Sequence, residues 1–148
     1  MKILNYTLIL IFALGLLSCG GGGDGADETA PEVKFTSPST NAASPTTITA
    51  GQAVTFSGTL SDNKKLKSIS FTNLGEKAKT VNDFILDFNE KLNSKKPSSG
   101  SVLDKSESAV SFAIETLAGA PANEYTMTCT VIDNSDNPTT KTFYIKVE

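Results

Sequence analysis

The feature that most constrains the fold of this chain is an alternation of apolar and polar residues from Pro31 to its end. In the stretch 52–60 (QAVTFSGTL), Val54, Phe56 and Leu60 share one face and threonine or serine fills the other. Five further stretches repeat the pattern: 32–37, 66–72, 108–115, 124–132 and 139–147. Because successive side chains of a strand point to opposite faces, each stretch predicts a half-buried β-strand.

The same alternation favours antiparallel sheets with one face in water, since parallel sheets give continuous apolar runs. Clusters of Pro, Gly, Asn and Asp separate the predicted strands, as turns require. The sequence therefore predicts an all-β fold over residues 31–148, an immunoglobulin-like antiparallel β-sandwich of roughly six to eight strands.

One long insertion, residues 73–107, interrupts this pattern. Within it lies the stretch 80–93 (TVNDFILDFNEKLN). Its apolar residues follow helical spacing at Phe84, Ile85, Phe88 and Leu92. An extra strand is the alternative, because apolar residues also alternate at positions 84, 86 and 88. We expect the insertion to contain either a short helix or a strand.

The first nineteen residues have the features of an export signal. Lys2 precedes the apolar stretch 3–17, which as a helix would rise about 22 Å, less than the roughly 30 Å core of a bilayer. It ends in Leu16-Leu17-Ser18-Cys19-Gly20, which resembles a bacterial lipobox. The resemblance implies cleavage before Cys19 and a covalent lipid on it. We predict a lipoprotein signal peptide over 1–18; the alternatives are an ordinary secretory signal or an uncleaved anchor.

The segment 19–30 begins with the predicted lipid site and continues as GGGGDGADETA. Glycines and acids cannot bury apolar surface, so we predict a flexible, lipidated tether ahead of the domain. Two or three acyl chains anchor a protein stably to a membrane. We therefore expect a location in the cell envelope, with Gly20 after the cysteine favouring the outer membrane; its periplasmic and surface faces both stay open.

Several motifs of the domain resemble those of bacterial immunoglobulin-like modules. They are Gly51 before a strand, 60–63 (LSDN), 66–68 (LKS), Glu124-Tyr125 and 133–137 (DNSDN). In their order along the chain, residues 30–148 are similar to a family of Bacteroidetes lipoproteins, domain-of-unknown-function family 4625. The resemblance implies a lipid-anchored β-sandwich with no established activity. Many members carry His-rich segments, and this chain contains no His, so no metal role of those segments is implied.

The composition excludes several functions. The chain has no His and no Trp, and all thirteen of its basic residues are Lys. Imidazole-based triads and histidine-ligated metals are therefore excluded, and no other catalytic constellation is visible, so we expect a protein that is not an enzyme. A net charge of −3 argues against nucleic acid as a partner. With Cys19 lipidated, we expect Cys129 to be an unpaired buried thiol and Tyr125 to form a tyrosine corner.

Two acidic turns give a candidate ion site. Asp62 and Asn63 follow the second predicted strand, and Asp133 and Asp136 precede the last one. In an immunoglobulin topology these turns share one pole with the start of the first strand, which would bring acids of 27–32 nearby. Carboxylate and amide oxygens are the ligands that Ca²⁺ prefers. These four residues are a candidate calcium site, and no other cofactor is expected; turn formation alone, for which Asp-Asn pairs are preferred residues, is the interpretation that the residue types favour.

The insertion also suggests a binding surface. Residues 64–105 hold nine lysines and five acids, although the whole chain is acidic. The candidate surface consists of five lysines: Lys77, Lys79, Lys91, Lys95 and Lys96. They could attract an anionic protein or glycan, or simply keep the surface solvated. We expect a membrane-anchored binding or adhesion module; the alternatives are an accessory protein for solute or ion capture, and a structural envelope protein without a ligand.

Overall fold

The computed structural model describes residues 26–76 and 83–148. The predicted signal peptide, Cys19, Lys77 and Lys79 lie outside these residues. The described chain forms eight strands: β1 Glu32–Ser37, β2 Thr46–Ile48, β3 Ala53–Ser61, β4 Leu66–Phe71, β5 Gly75–Glu76, β6 Glu107–Glu115, β7 Asn123–Asp133 and β8 Pro138–Val147. One α-helix, α1, spans Asp83–Lys95, and a short 3₁₀ turn spans Ser99–Ser101.

The strands form two sheets, which confirms the predicted all-β sandwich. The first sheet has the order β1-β3-β6, and the second has the order β2-β8-β7-β4, with β5 also paired to β7. Thus β1, β3 and β6 take the places of immunoglobulin strands A, B and E, and β4, β7 and β8 those of C, F and G. Every pairing is antiparallel except that of β2 with β8, which is parallel and three residues long.

Phenylalanine rings from both sheets fill the space between them. Phe56 of β3 lies with its ring centroid 5.4 Å from that of Phe143 of β8 and 6.1 Å from that of Phe71 of β4. Phe35 of β1 meets Phe143 edge-on at 4.7 Å, and Phe112 of β6 stacks on Phe56 at 4.7 Å. Edge-to-face contacts of this kind add to the free energy gained from apolar burial. The apolar residues of the alternating pattern therefore form the core between the two sheets.

The insertion contains a helix, not a strand. The apolar side chains of α1 that point inward are buried, and they are Phe84, Ile85, Phe88 and Leu92. Leu86, which the strand alternative would have buried, is 59% exposed. The helix packs against β6, and the Phe84 ring lies 4.9 Å from that of Tyr125 at the start of β7. The insertion thus belongs to the same hydrophobic core as the two sheets.

Within the described residues, no helix is long and apolar enough to cross a membrane.

Candidate metal centre

Three carboxylates meet at one pole of the sandwich. Asp62 follows the last residue of β3, Asp133 is the last residue of β7, and Asp27 precedes β1. One oxygen of each carboxylate lies within 4.8 Å of one from each of the others. The topology explains this meeting, because Glu32 at the start of β1 pairs with Ser61 at the end of β3. The cluster therefore bridges the two sheets and the segment that leads into the first strand.

The Asp133 carboxylate is fully buried and held by the turn that follows it. Its Oδ1 accepts hydrogen bonds from the backbone N–H groups of Ser135 and Asn137, both at 2.8 Å. Its Oδ2 accepts a third bond, at 2.8 Å, from the Asn137 side-chain amide. A carboxylate has about four acceptor positions, so these bonds orient the group and leave it able to bind a cation.

Asp27 is held at the pole by side chains from two turns. Its Oδ1 accepts hydrogen bonds of 3.0 Å from the Asn63 amide and from the Thr29 N–H. Its backbone carbonyl accepts one of 2.7 Å from the Asn137 amide. The bond from Asn63, followed by that from Thr29, lowers the pKa of the Asp27 carboxyl, and the charge of Lys64 adds to this effect. Asp27 therefore contributes a negative charge to the cluster at neutral pH.

Two oxygens of the cluster are buried without a hydrogen-bond partner. Asp27 Oδ2 and Asp62 Oδ2 each expose less than 1 Å² and accept no bond from the described residues. Burying an unpaired polar atom costs about 1–3 kcal/mol, and more when the group is charged. Two unit charges 4.8 Å apart also repel by roughly 3 kcal/mol at an effective dielectric constant near 20. A bound cation would remove both penalties.

The cluster has the donor set of a hard cation. Ca²⁺ binds six to eight oxygens at about 2.3–2.6 Å, so two of its ligands on opposite sides lie roughly 5 Å apart. Three oxygens within 4.8 Å of one another can therefore contact one ion. Asp27, Asp62 and Asp133 would hold it, with water completing the shell. The cluster offers no sulfur or imidazole, the donors that zinc prefers.

The structure brings together only part of the predicted calcium site. Asp62 and Asp133 lie in the cluster, whereas Asn63 turns its amide nitrogen to Asp27 and so acts as a hydrogen-bond donor. The carboxylate of Asp136 lies elsewhere, because its backbone has a φ of +68° and its side chain pairs with Lys67. Asp27 supplies the third carboxylate of the cluster, which agrees with the expectation that acids of 27–32 lie near this pole.

The candidate lysine surface is partly engaged in local contacts. Lys91 donates to Asp87 Oδ2 at 2.8 Å and to the Glu115 carbonyl at 3.1 Å. Lys96 donates to Asn93 Oδ1 at 2.8 Å, and Lys95 is exposed at the end of α1. Lys91 within α1 and Lys96 just after it therefore each have a partner on this helix, which weakens their availability to an outside ligand.

Cys129 and Tyr125 have structural positions. Cys129 is a free, fully buried thiol, and its burial raises its pKa to about 12. Such a thiol stays protonated at neutral pH and cannot act as a nucleophile. The Tyr125 hydroxyl donates to the Pro121 carbonyl at 3.1 Å, four residues upstream, as a tyrosine corner does.

A shallow cleft of about 460 Å³ opens at the opposite pole, between the start of α1 and residues 117–121. Among the described residues its lining is mainly apolar, with Phe84 and Leu117 at its walls and Asp83 as the only ionisable side chain. Solute-binding pockets usually enclose their ligand with several converging polar groups. This open cleft gives little support to capture of a polar solute.

The geometry defines a class: a β-sandwich domain with a three-aspartate cluster at the pole where its chain enters. No protein-family model and no curated protein matches this chain at a significant level.

Proposed function

We propose that this protein is a calcium-binding, immunoglobulin-like module of the bacterial cell envelope. A lipid on Cys19 anchors it there, and it acts by binding a partner and not by catalysis. The observation that carries the calcium site is the cluster of Asp27, Asp62 and Asp133, in which two buried carboxylate oxygens have no hydrogen-bond partner. The anchor rests on the resemblance of residues 16–20 to a lipobox and of 30–148 to family 4625 lipoproteins.

Calcium fits this cluster better than magnesium. Mg²⁺ requires near-ideal octahedral geometry at about 2.0–2.1 Å and keeps most of its water, whereas Ca²⁺ accepts irregular sets of protein oxygens. Extracellular calcium modules bind with dissociation constants of about 10⁻⁴–10⁻³ M, which suits an ion that is abundant outside the cell. We therefore expect a site of this affinity.

The calcium site is tested on the exported chain, from residue 19 onward, with Cys19→Ser to keep it soluble. At a calcium concentration 100 times Kd, binding adds about 2.7 kcal/mol to the free energy of unfolding. For a domain of this size that raises Tm by roughly 10 °C. Thermal melting in calcium or in chelator measures the shift, and titration calorimetry measures Kd.

Matched variants separate the cluster from its neighbourhood. Asp62→Asn keeps the side-chain shape and removes one ligand charge, so we expect it to abolish most of the shift. Asp136→Asn alters an acid of the neighbouring turn that lies outside the cluster and should leave the shift unchanged. An unshifted Tm together with a flat calorimetric titration of the parent chain would refute the site, as would a full shift in Asp62→Asn.

The partner-binding role is supported by the outward surface of the insertion. While the inner face of α1 is buried, Leu86 on its outer face is 59% exposed, and Lys95 is exposed at the C-terminal end of the helix. A protein or glycan partner would meet this mixed apolar and cationic surface. Since Phe88 and Leu92 of the same helix are fully buried, the surface is tested by replacing outward side chains and not by deleting 73–107.

Ion capture is the second candidate function, because the same cluster could hold an ion as cargo. The geometry favours a resident ion: Asp133 is fully buried, and the unpartnered oxygens of Asp27 and Asp62 are inaccessible to water. An ion held in this way contributes to the stability of the folded domain.

A further inference from the structure

We infer that calcium acts as a clamp that fastens the membrane tether to the domain, so that its occupancy sets how freely the sandwich moves relative to its anchor. This inference rests on the proposed calcium site. Of the three aspartates, Asp62 and Asp133 belong to the sandwich, whereas Asp27 lies in the predicted tether, 19–30, eight residues after Cys19 and five before β1. An ion that contacts all three aspartates must join the tether to the domain.

The contacts around Asp27 give the end of the tether a defined course over the pole. Asn137 and Asn63, from two different turns, donate hydrogen bonds to its carbonyl and its carboxylate. Further along, Thr139 Oγ1 donates to the Pro31 carbonyl at 2.6 Å, and Pro31 itself is buried. Each of these bonds joins residues at least 36 positions apart in the chain, so they dock the segment onto the sandwich.

Electrostatics makes this docking more favourable when a cation is bound. Bringing the Asp27 carboxylate to the pole places it beside Asp62 and Asp133, and like charges at this distance oppose docking. The docked state also buries Asp27 Oδ2 and Asp62 Oδ2 without partners. A divalent cation between the carboxylates replaces their mutual repulsion with attraction to the ion. Both unpartnered oxygens then become ligands of that ion. Calcium therefore binds the docked state more tightly, and by linkage it promotes docking.

The consequence for the anchored protein is a change in the distance between the domain and its anchor. Release of residues 27–31 would lengthen the free tether by five residues, or roughly 17 Å when extended. Because β1 begins at the aspartate pole, this pole lies towards the anchor in both states, and the closed clamp holds it nearer. The opposite pole, where β7 begins at Asn123 and α1 begins at Asp83, then points away from the membrane towards any partner.

A spin label at Ala30→Cys tests the clamp in the exported chain with Cys19→Ser. Ala30 is exposed and carries no charge, and the buried Cys129 thiol should not react with the label. We expect the label to be immobilised in calcium and mobile in chelator. Asp27→Asn should keep the label mobile in calcium and weaken calcium binding by about 5- to 150-fold. Glu28→Gln, the neighbouring acid outside the cluster, should behave as the parent.

The outcomes separate the clamp from the site itself. If calorimetry detects calcium binding but the label is equally mobile in calcium and chelator, the clamp is refuted and the calcium site stands. The clamp is also refuted if Asp27→Asn binds calcium as tightly as the parent. If the parent binds no calcium, both the clamp and the proposed site fail.

Discussion

At the scale of a single residue, burial determines the protonation state of the Cys129 thiol. It lies in the middle of β7, pairs in register with Lys141 of β8 and Phe71 of β4, and has no exposed surface. Burial in apolar surroundings disfavours the thiolate and raises the pKa from 9.0 to about 12. The side chain therefore contributes to packing as a small apolar group.

The Cys129 thiol should resist alkylation at pH 8 in the native protein and react once urea unfolds it. Because its folded pKa is the higher one, its contribution to stability is complete below pH 9 and is lost as pH rises from about 9 towards 12. Between pH 8 and 10 the loss amounts to about 1 kcal/mol. Urea unfolding at both pH values measures it.

Cys129→Ala is the control for this pH dependence. It lowers stability at both pH values by removing buried volume, and it should show a smaller loss between pH 8 and 10 than the parent. Rapid native-state alkylation of Cys129, or an identical pH dependence in both proteins, would contradict the assignment.

At the scale of elements, α1 decides whether the insertion is separate from the sandwich. Its helical spacing was visible in the sequence, but so was an alternation compatible with a strand. Burial of Ile85 and exposure of Leu86 distinguish the two, because a strand that buried positions 84, 86 and 88 would have exposed Ile85. The docking surface offered by β6 and Tyr125 selects the helix.

Two substitutions within α1 test this packing. Phe88→Ala removes a fully buried ring and should lower the free energy of unfolding by about 3–5 kcal/mol. Leu86→Ala, two residues away on the exposed face, should change it by no more than about 0.5 kcal/mol. Urea unfolding monitored by circular dichroism gives both values. Equal losses would mean that α1 does not pack as described.

At the scale of the whole molecule, the strand order separates two poles with different roles. β3 and β7 end at the aspartate cluster, and β7 begins near the start of α1 at the other pole. The predicted tether enters at the cluster. Membrane attachment and partner binding are thereby proposed for opposite ends of one sandwich.

The lipid anchor is tested in cells by labelling with palmitate. The parent protein should incorporate the label and fractionate with membranes, and Cys19→Ala should lose both properties, because it lacks the thiol that the lipid would modify. Cys129→Ala removes the chain's other cysteine and should keep both. Label retained in Cys19→Ala would overturn the anchor.

Local patterns account for the parts of this structure that were predictable. The six predicted strands match β1, β3, β4, β6, β7 and β8 with ends within one residue, since alternation is a property of neighbouring side chains. The strands β2 and β5 have three and two residues, too few for a pattern to appear. Their existence depends on pairing with β8 and β7.

The sequence by itself determined the sandwich, its buried alternating residues and two of the three clustered aspartates, because turns at strand ends follow from where strands stop. Acids of 27–32 were expected near this pole, but only the tertiary structure selected Asp27 among them as the third ligand. Asp27 reaches the cluster through Asn63 and Asn137, 36 and 110 residues away, while a left-handed turn at Asp136 directs that acid to Lys67. Contacts across such separations depend on how the two sheets pack, which no local pattern encodes.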